Sequence, residues 1–318
     1  MKWKKHGLIF DPTKHDLPSG CTQFAQSPQV LVFPEFVRIY FSTRSVDPLN
    51  GKFLSHIAYV DIEKDLRTLI RVADHVVLPL GGLGCFDEHG IFPMNVLRHE
   101  GAVYGYTCGW SRRVSVSVET AIGLAISRDE GLTFQRVGDG PIMAASPLEP
   151  CLVGDAFVKV INGVFHMWHI FGTGWKQSLA GVPPDRIYKI GHAVSTNGVE
   201  WMREDGRKLV SDRLGPDECQ ALPTVVVVDG RYHMFFCYRQ AFDFRRSVGR
   251  GYRIGHAWSE DLINWTRDDE PGLETRPGEW DSDMQCYPHV FQLDSKVFML
   301  YNGNEFGRLG FGLAELQP

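Results

Sequence analysis

The residues best suited to chemistry are acidic side chains that recur at long, nearly constant intervals: the Asp87–Glu88 pair, Asp155, Glu218 and Asp283. Interleaved with them are aromatic and donor side chains, namely Arg44, Trp110 with Arg112, Trp175 with Lys176, Arg239, and Asn302 with Asn304. If these rings converge on one narrow funnel, the carboxylates repel one another. One member of a close pair is then pushed toward its protonated state and becomes a general acid near neutral pH. Aromatic faces suit the C–H faces of a sugar ring, and Arg or Asn donors suit its hydroxyls. The set therefore matches glycosidic bond cleavage by two carboxylates through an oxocarbenium-like transition state. A structural reading stands beside it, in which the acids pair with Arg44, Arg112 and Arg239 to hold the chain together. Glu218 and Asp155 are the first choices for function, and Asp87 or Glu88 the next.

The elements that must position these residues come from an internal repeat. Apolar segments centred on proline occur at Ser27-Pro28-Gln29, Phe92-Pro93-Met94, Leu222-Pro223-Thr224 and Tyr287-Pro288-His289. The steps are 65, 130 and 65 residues (28 to 93, 93 to 223, 223 to 288), and the gap at 158 is filled by Ala156-Phe157-Val158-Lys159 with Val158 in the proline's place. Each copy continues into a strand ending in aromatics, as in Val164-Phe165-His166-Met167-Trp168, with Asn162-Gly163 or Asp229-Gly230 as a hairpin signal. Third strands read Ile122-Gly123-Leu124-Ala125, Ile190-Gly191-His192-Ala193 and Ile254-Gly255-His256-Ala257, and fourth strands start at Phe134, Trp201 and Trp265.

Four strands per copy and five copies predict an all-β, five-bladed propeller, one domain over residues 1–318. Its inner strands start near 27, 91, 155, 220 and 285. The fifth copy lacks an outer strand, which the segment Trp3 to Phe10 can supply, closing the ring and removing an open edge. The turn Ser127-Arg128-Asp129-Glu130-Gly131-Leu132-Thr133-Phe134 fits the Asp-box pattern, and Ser195 to Trp201 and Ser259 to Trp265 are related. These are read as structural, with the aromatic plugging between neighbouring blades.

Counting back from the repeat position, five residues before it lie Gln23, Glu88, Val153, Glu218 and Asp283. Three before it lie Ala25, Gly90, Asp155, Gln220 and Gln285. These strand starts are expected to line the funnel together with the ends of the second strands.

Of the 318 residues, 43% are hydrophobic and 22% charged, the balance of a soluble globular chain, and the net charge is −5. That balance gives no footprint for nucleic acid and no basic face for an anionic membrane. The apolar stretch before Asp11 is too short for a secretory signal. Seven scattered cysteines, none in a C-x-x-C pair, read as reduced thiols and favour the cytoplasm. No cofactor is expected. The basic run Arg245-Arg246-Ser247-Val248-Gly249-Arg250 is read first as a solvated face, although it overhangs the funnel and could meet a phosphate or other acidic group on a substrate.

In repeat architecture the whole chain resembles the five-bladed propeller glycoside hydrolases, the superfamily of arabinanases, β-xylosidases, fructan hydrolases and mannoside phosphorylases. The segment Gly154-Asp155-Ala156-Phe157-Val158 is similar to that superfamily's R-D-P-x-V context, and Glu218-Cys219-Gln220 to its E-C-P context. The resemblance implies Asp155 as the residue that orients substrate and Glu218 as the acid. It also implies an axial metal ion in some members, for which His289 is the candidate ligand beside the reading of a core histidine. The departure is in the first blade, where Gln26-Ser27-Pro28 offers no carboxylate, so a base would come from Asp87 or Glu88.

Three readings follow. The first is a glycoside hydrolase acting on a small carbohydrate or sugar conjugate. The second is a phosphorylase or other glycosyl transfer, for which the missing first acid and Arg44, Arg112 and Arg239 argue. The third is a sugar-binding propeller without catalysis.

Overall fold

The computed structural model describes residues 1–177, 182–270 and 272–317. β-branched and aromatic runs separated by turns give strands that pair antiparallel within each unit. They form five four-stranded units in chain order. The first holds Gln23–Val32, Phe36–Val46, Phe53–Glu63 and Leu69–Val72, and the second Gly90–His99, Ala102–Arg112, Val118–Ser127 and Gln135–Arg136. A single parallel pair, Ser55 with Gly90, joins these two. The third holds Cys151–Ile161, Val164–Lys176, Asp185–Ser195 and Met202–Arg203, and the fourth Glu218–Val228, Arg231–Gln240, Arg253–Ser259 and Thr266–Arg267. The fifth is Cys286–Leu293, Lys296–Asn302 and Phe311–Gln317, completed by the N-terminal strand Lys2–Phe10 pairing with Phe311–Gln317. Among the described residues no helix is long and apolar enough to cross a membrane.

The expected hairpin turns form. Asn162 and Gly163, and Asp229 and Gly230, all have positive φ, as a two-residue turn with the twist of its strands requires. The first strand of each unit packs on the first strands of its neighbours, the fifth on the first. Side chains pin these contacts: Thr224 Oγ1 accepts the Val290 amide at 3.1 Å, His289 Nε2 accepts the Val30 amide at 3.1 Å, and Asn95 Oδ1 accepts the Val158 amide at 2.9 Å.

The Asp-box turns fold as expected. Ser127 Oγ accepts the Gly131 amide and Asp129 accepts that of Thr133. Each turn delivers its aromatic edge-on to the preceding unit: Phe134 to Tyr40 at 5.9 Å, Trp201 to Tyr106 at 5.9 Å, and Trp265 to Trp168 at 6.4 Å between ring centroids. In the fifth unit Trp3 of the N-terminal strand takes that place, against Phe235 at 5.3 Å.

Two residues after each plug stands a base, and it meets a buried acid at or a few residues before the start of the first strand of its own unit. The ion pairs are Arg136–Asp87 at 2.5 Å, Arg203–Glu149 at 3.1 Å, Arg267–Glu218 at 2.6 Å and Lys5–Asp281 at 2.8 Å. Units two to five are thus clasped by one device, and the N-terminal strand carries the fifth copy's plug and base.

Candidate functional site

Every first strand carries a β-bulge at the same level. Register breaks fall between Gln26 and Gln29, Ile91 and Met94, Gly154 and Phe157, Ala221 and Thr224, and Cys286 and His289. Within them Ser27, Asp155, Leu222 and Tyr287 adopt positive φ. A bulge re-aims the side chain it carries. Here Phe92, Asp155, Leu222 and Tyr287 come to line one cavity of about 310 Å³. The bulges also correct the sequence alignment of the third copy: Ala156, not Val158, occupies the proline's place, so Asp155 is the counterpart of Leu222 and Tyr287.

Asp155 is the only carboxylate lining this cavity among the described residues, and it is 6% exposed. Burial pushes its pKa up to about 7, against the opposing pull of the Leu222 amide, the Arg186 charge and the Cys108 thiol. It therefore holds a proton near neutrality without a partner carboxylate.

The remaining polar wall is cationic. Arg239, 1% exposed, donates to the Gln240 and Ala241 carbonyls and, at 3.0 Å, to the Tyr188 hydroxyl. Its guanidinium lies 3.5 Å over the Phe244 ring. Tyr188 and Tyr252 hydrogen-bond each other through their hydroxyls. Arg44 stacks on Phe24 at 4.7 Å and on Phe53 at 5.5 Å. Arg186 and Arg245 complete the set. A second cavity of about 270 Å³ adjoins, sharing Arg186, Arg239, Phe244 and Arg245 with the first and adding Trp175, Asp185 and Asp243.

Of the side chains singled out in the sequence, Asp155, Arg44, Trp110 and Arg239 meet in the axial cavity, and Trp175 lines its neighbour. The expected convergence of the other acids does not occur. Glu218 is fully buried elsewhere, accepting the amides of Arg213 and Leu214 at 2.8 Å each, Gln220 at 2.9 Å and Arg267 at 2.6 Å. Asp87 is clasped by Arg136, and Glu88 accepts the Gly84 amide. The physical reason is position: Asp87 and Glu218 lie at or just before a strand start and face the outer-strand base, whereas Asp155 sits in the bulge that turns its side chain into the cavity. Gln220 and Gln285 likewise bond the acids Glu218 and Asp281.

Arg112 pairs with Asp47 at 3.0 Å and donates to the Phe53 carbonyl. Asn302 fixes Ser27, Ala25 and Gly310 through backbone hydrogen bonds, and Asn304 caps the amides of Asp283 and Met284. Asp283 itself accepts the Ser282 hydroxyl away from the cavity. His289 packs against Phe157 and Phe291, with one ring nitrogen taken by Val30, and no group of three metal-ligating side chains occurs among the described residues. All seven cysteines are free.

Sequence reading passed over Arg186, Tyr188 and Tyr252. Their signal was present: Tyr188-Lys189-Ile190-Gly191-His192-Ala193 and Tyr252-Arg253-Ile254-Gly255-His256-Ala257 repeat the same pattern, beginning with the tyrosine.

No protein-family model matches the chain. Two uncharacterized proteins, from two strains of Mycobacterium tuberculosis, are 33% identical over 324 residues, covering 100% of this chain and of each relative. A 1,2-beta-oligomannan phosphorylase of a Thermoanaerobacter species is 28% identical over 152 residues, 45% of this chain and 48% of that enzyme. Among solved structures, a glycoside hydrolase superposes with a TM-score of 0.75 at 17% identity over 99% of this chain and 91% of its own. The β-1,2-mannobiose phosphorylase of Listeria innocua superposes with a TM-score of 0.68 at 14% identity, over 100% of this chain and 97% of its own.

Proposed function

We propose that this chain, which belongs to the family of the two uncharacterized mycobacterial proteins and shares its fold with the propeller glycoside hydrolase-like superfamily, cleaves a glycosidic bond in the axial cavity with Asp155 as proton donor. The five units are then the blades of one propeller, closed by the N-terminal strand. The observation that carries the reading is the pairing of one protonated carboxyl with a cationic wall.

Phosphorolysis fits that inventory better than hydrolysis. A hydrolase needs a second carboxylate to activate water or form a glycosyl intermediate, and the axial cavity has none among the described residues. Arg186, Arg239 and Arg245, at the junction of the two cavities, suit an oxyanion nucleophile instead. In that step a hydrogen phosphate oxygen attacks the anomeric carbon as the C–O bond breaks. The leaving oxygen takes the Asp155 proton, giving a sugar 1-phosphate and an alcohol, and Asp155 is reprotonated from solvent. Tyr188, Tyr252 and Tyr287 exclude water and supply hydroxyl contacts. Hydrolysis is the second reading, because Asp185 and Asp243 line the adjoining cavity and could serve as the missing base.

The test is a panel of aryl glycosides and β-linked disaccharides, with and without phosphate, followed by phosphorus NMR. Sugar 1-phosphate formation that falls at least about 100-fold in Asp155→Asn is expected. Turnover without phosphate would select hydrolysis, and turnover indifferent to Asp155→Asn would remove the proton donor and the proposal with it.

A further inference from the structure

Five other buried or half-buried arginines have carboxylate partners: Arg38 with Asp61, Arg112 with Asp47, Arg136 with Asp87, Arg203 with Glu149 and Arg267 with Glu218. Arg239 has none but donates to two carbonyls and the Tyr188 hydroxyl; Arg44 has neither kind of partner. Its guanidinium makes no hydrogen bond or ion pair to any described residue, and its Nε is buried without a partner. What holds it is aromatic: Phe24 and Phe53, packed edge-on against each other, have their ring centroids 4.7 and 5.5 Å from the guanidinium carbon. Desolvating a cation without a counter-charge is costly, and here the cost falls on a residue whose free side opens into the axial cavity.

The charge around it has the same sign. The whole chain carries −5, yet the cavity holds Arg44, Arg186, Arg239 and Arg245 against one acid, Asp155, whose pKa burial pushes up to about 7. Burial, reinforced by the charges of Arg245 and Arg186, lowers the pKa of Arg44. A low-dielectric cleft of one sign concentrates ligands of the other. The junction arginines account for one anion. Arg44 lies outside that junction, since it lines the axial cavity but not its neighbour.

We propose that the sugar bound in the axial cavity carries its own acidic oxyanion, a carboxylate or a phosphate ester, and that Arg44 is the residue that reads it. This rests on the reading of the cavity as a sugar site. The planar fork of a guanidinium matches either group with two parallel hydrogen bonds. Phe24, Phe53 and Trp110 beside it offer apolar faces to the ring that bears the group.

Binding is measured by calorimetry with glucose, mannose, their 6-phosphates, glucuronate and inorganic phosphate, on wild type, Arg44→Gln, Arg44→Lys and Asp155→Asn. Wild type is expected to bind at least one acidic sugar about 10- to 100-fold more tightly than its neutral parent. The phosphate esters against glucuronate identify which oxyanion is read. Arg44→Gln loses that advantage, Arg44→Lys keeps only part of it, and Asp155→Asn retains it. Equal binding of neutral and acidic sugars by wild type overturns the inference without using any variant. So does an acidic preference that survives in a folded Arg44→Gln protein. Binding of inorganic phosphate but of no sugar overturns both this inference and the sugar-site reading. A preference for acidic sugars without turnover supports the inference while counting against catalysis.

Discussion

Glu218 and Arg267 stand 2.6 Å apart at opposite edges of the fourth four-stranded unit, one opening its first strand and one on its last. Both side chains are almost wholly buried. The same bond recurs as Asp87–Arg136, Glu149–Arg203 and Asp281–Lys5. Periodicity therefore placed acids at regular intervals for a structural purpose. The acid that breaks the pattern, Asp155, has no basic partner and sits in a bulge.

Glu218→Gln tests this division. It leaves Arg267 buried with Asp269 as its remaining anionic partner. Breaking a buried pair by removing one member costs about 3–5 kcal/mol. A clear drop in melting temperature is expected, while turnover per folded molecule, measured well below the transition, stays within about twofold of wild type. Loss of turnover without loss of stability would return Glu218 to the catalytic role that its E-C-Q context suggests.

The N-terminal strand makes a second test, because it carries a detachable part of the repeat. Trp3 plugs against Phe235 and Lys5 pairs with Asp281, two residues apart as in Trp201 and Arg203. A chain starting at residue 11 should expose the edge of Phe311–Gln317 and aggregate. A synthetic peptide of residues 1–10 should restore solubility, a Trp3→Ala peptide should do so weakly, and Lys5→Met should melt earlier than wild type. Full stability of the truncated chain would show that the edge needs no cover.

The repeat of four-stranded units was legible because turns and plugs are written locally: Asn162-Gly163, Asp229-Gly230 and the Asp-box serines each specify a conformation within a few residues. The site was harder to read. Whether an acid such as Glu218 faces the axis or its own blade depends on which side of a bulge it falls. A bulge adds one residue to one strand without a composition cue in the third copy, where Ala156 replaces proline. Counting at a constant interval therefore put Asp155 level with Gln220 and Gln285, two positions away from its true counterparts. Arg267 and Arg136 as partners were written in the sequence as aromatic-x-base, at Trp265-Thr266-Arg267 and Phe134-Gln135-Arg136, and at Trp3-Lys4-Lys5 in the N-terminal strand.

Asp155 sets the expected pH dependence. With its pKa near 7, the donor form dominates below that value, so activity should fall as pH rises through about 7. Stability has the same sign. A carboxyl raised from 3.8 contributes most below its unfolded value, and that contribution is lost as pH rises toward 7. Asp155→Asn, which cannot ionise, should melt higher than wild type at pH 8 and nearly the same at pH 4. It should also abolish the limb in the pH–rate profile. An unchanged difference in melting temperature across that range would mean the carboxyl is ionised throughout.

The stacked histidines of the third and fourth units act in the opposite direction. His166 Nδ1 and His192 Nε2 lie 3.1 Å apart, and His233 Nδ1 and His256 Nε2 lie 3.0 Å apart. Each pair shares a single proton between facing nitrogens, which a second proton would break. Burial first, and the neighbouring imidazole second, lowers His192 and His233 from 6.5 to about 4. The unfolded chain thus takes up protons below pH 6.5 that the folded chain refuses until about pH 4. Stability is level above 6.5 and falls through that window. Because Asp155 gains stability over the same range, the measurement belongs in the Asp155→Asn protein. Its melting temperature should drop by about 10 °C between pH 7 and pH 4.5. Replacing His192 and His233 together by Gln should flatten that slope at the cost of a lower melting temperature at pH 7. A slope unchanged by the double substitution would assign acid sensitivity to other groups.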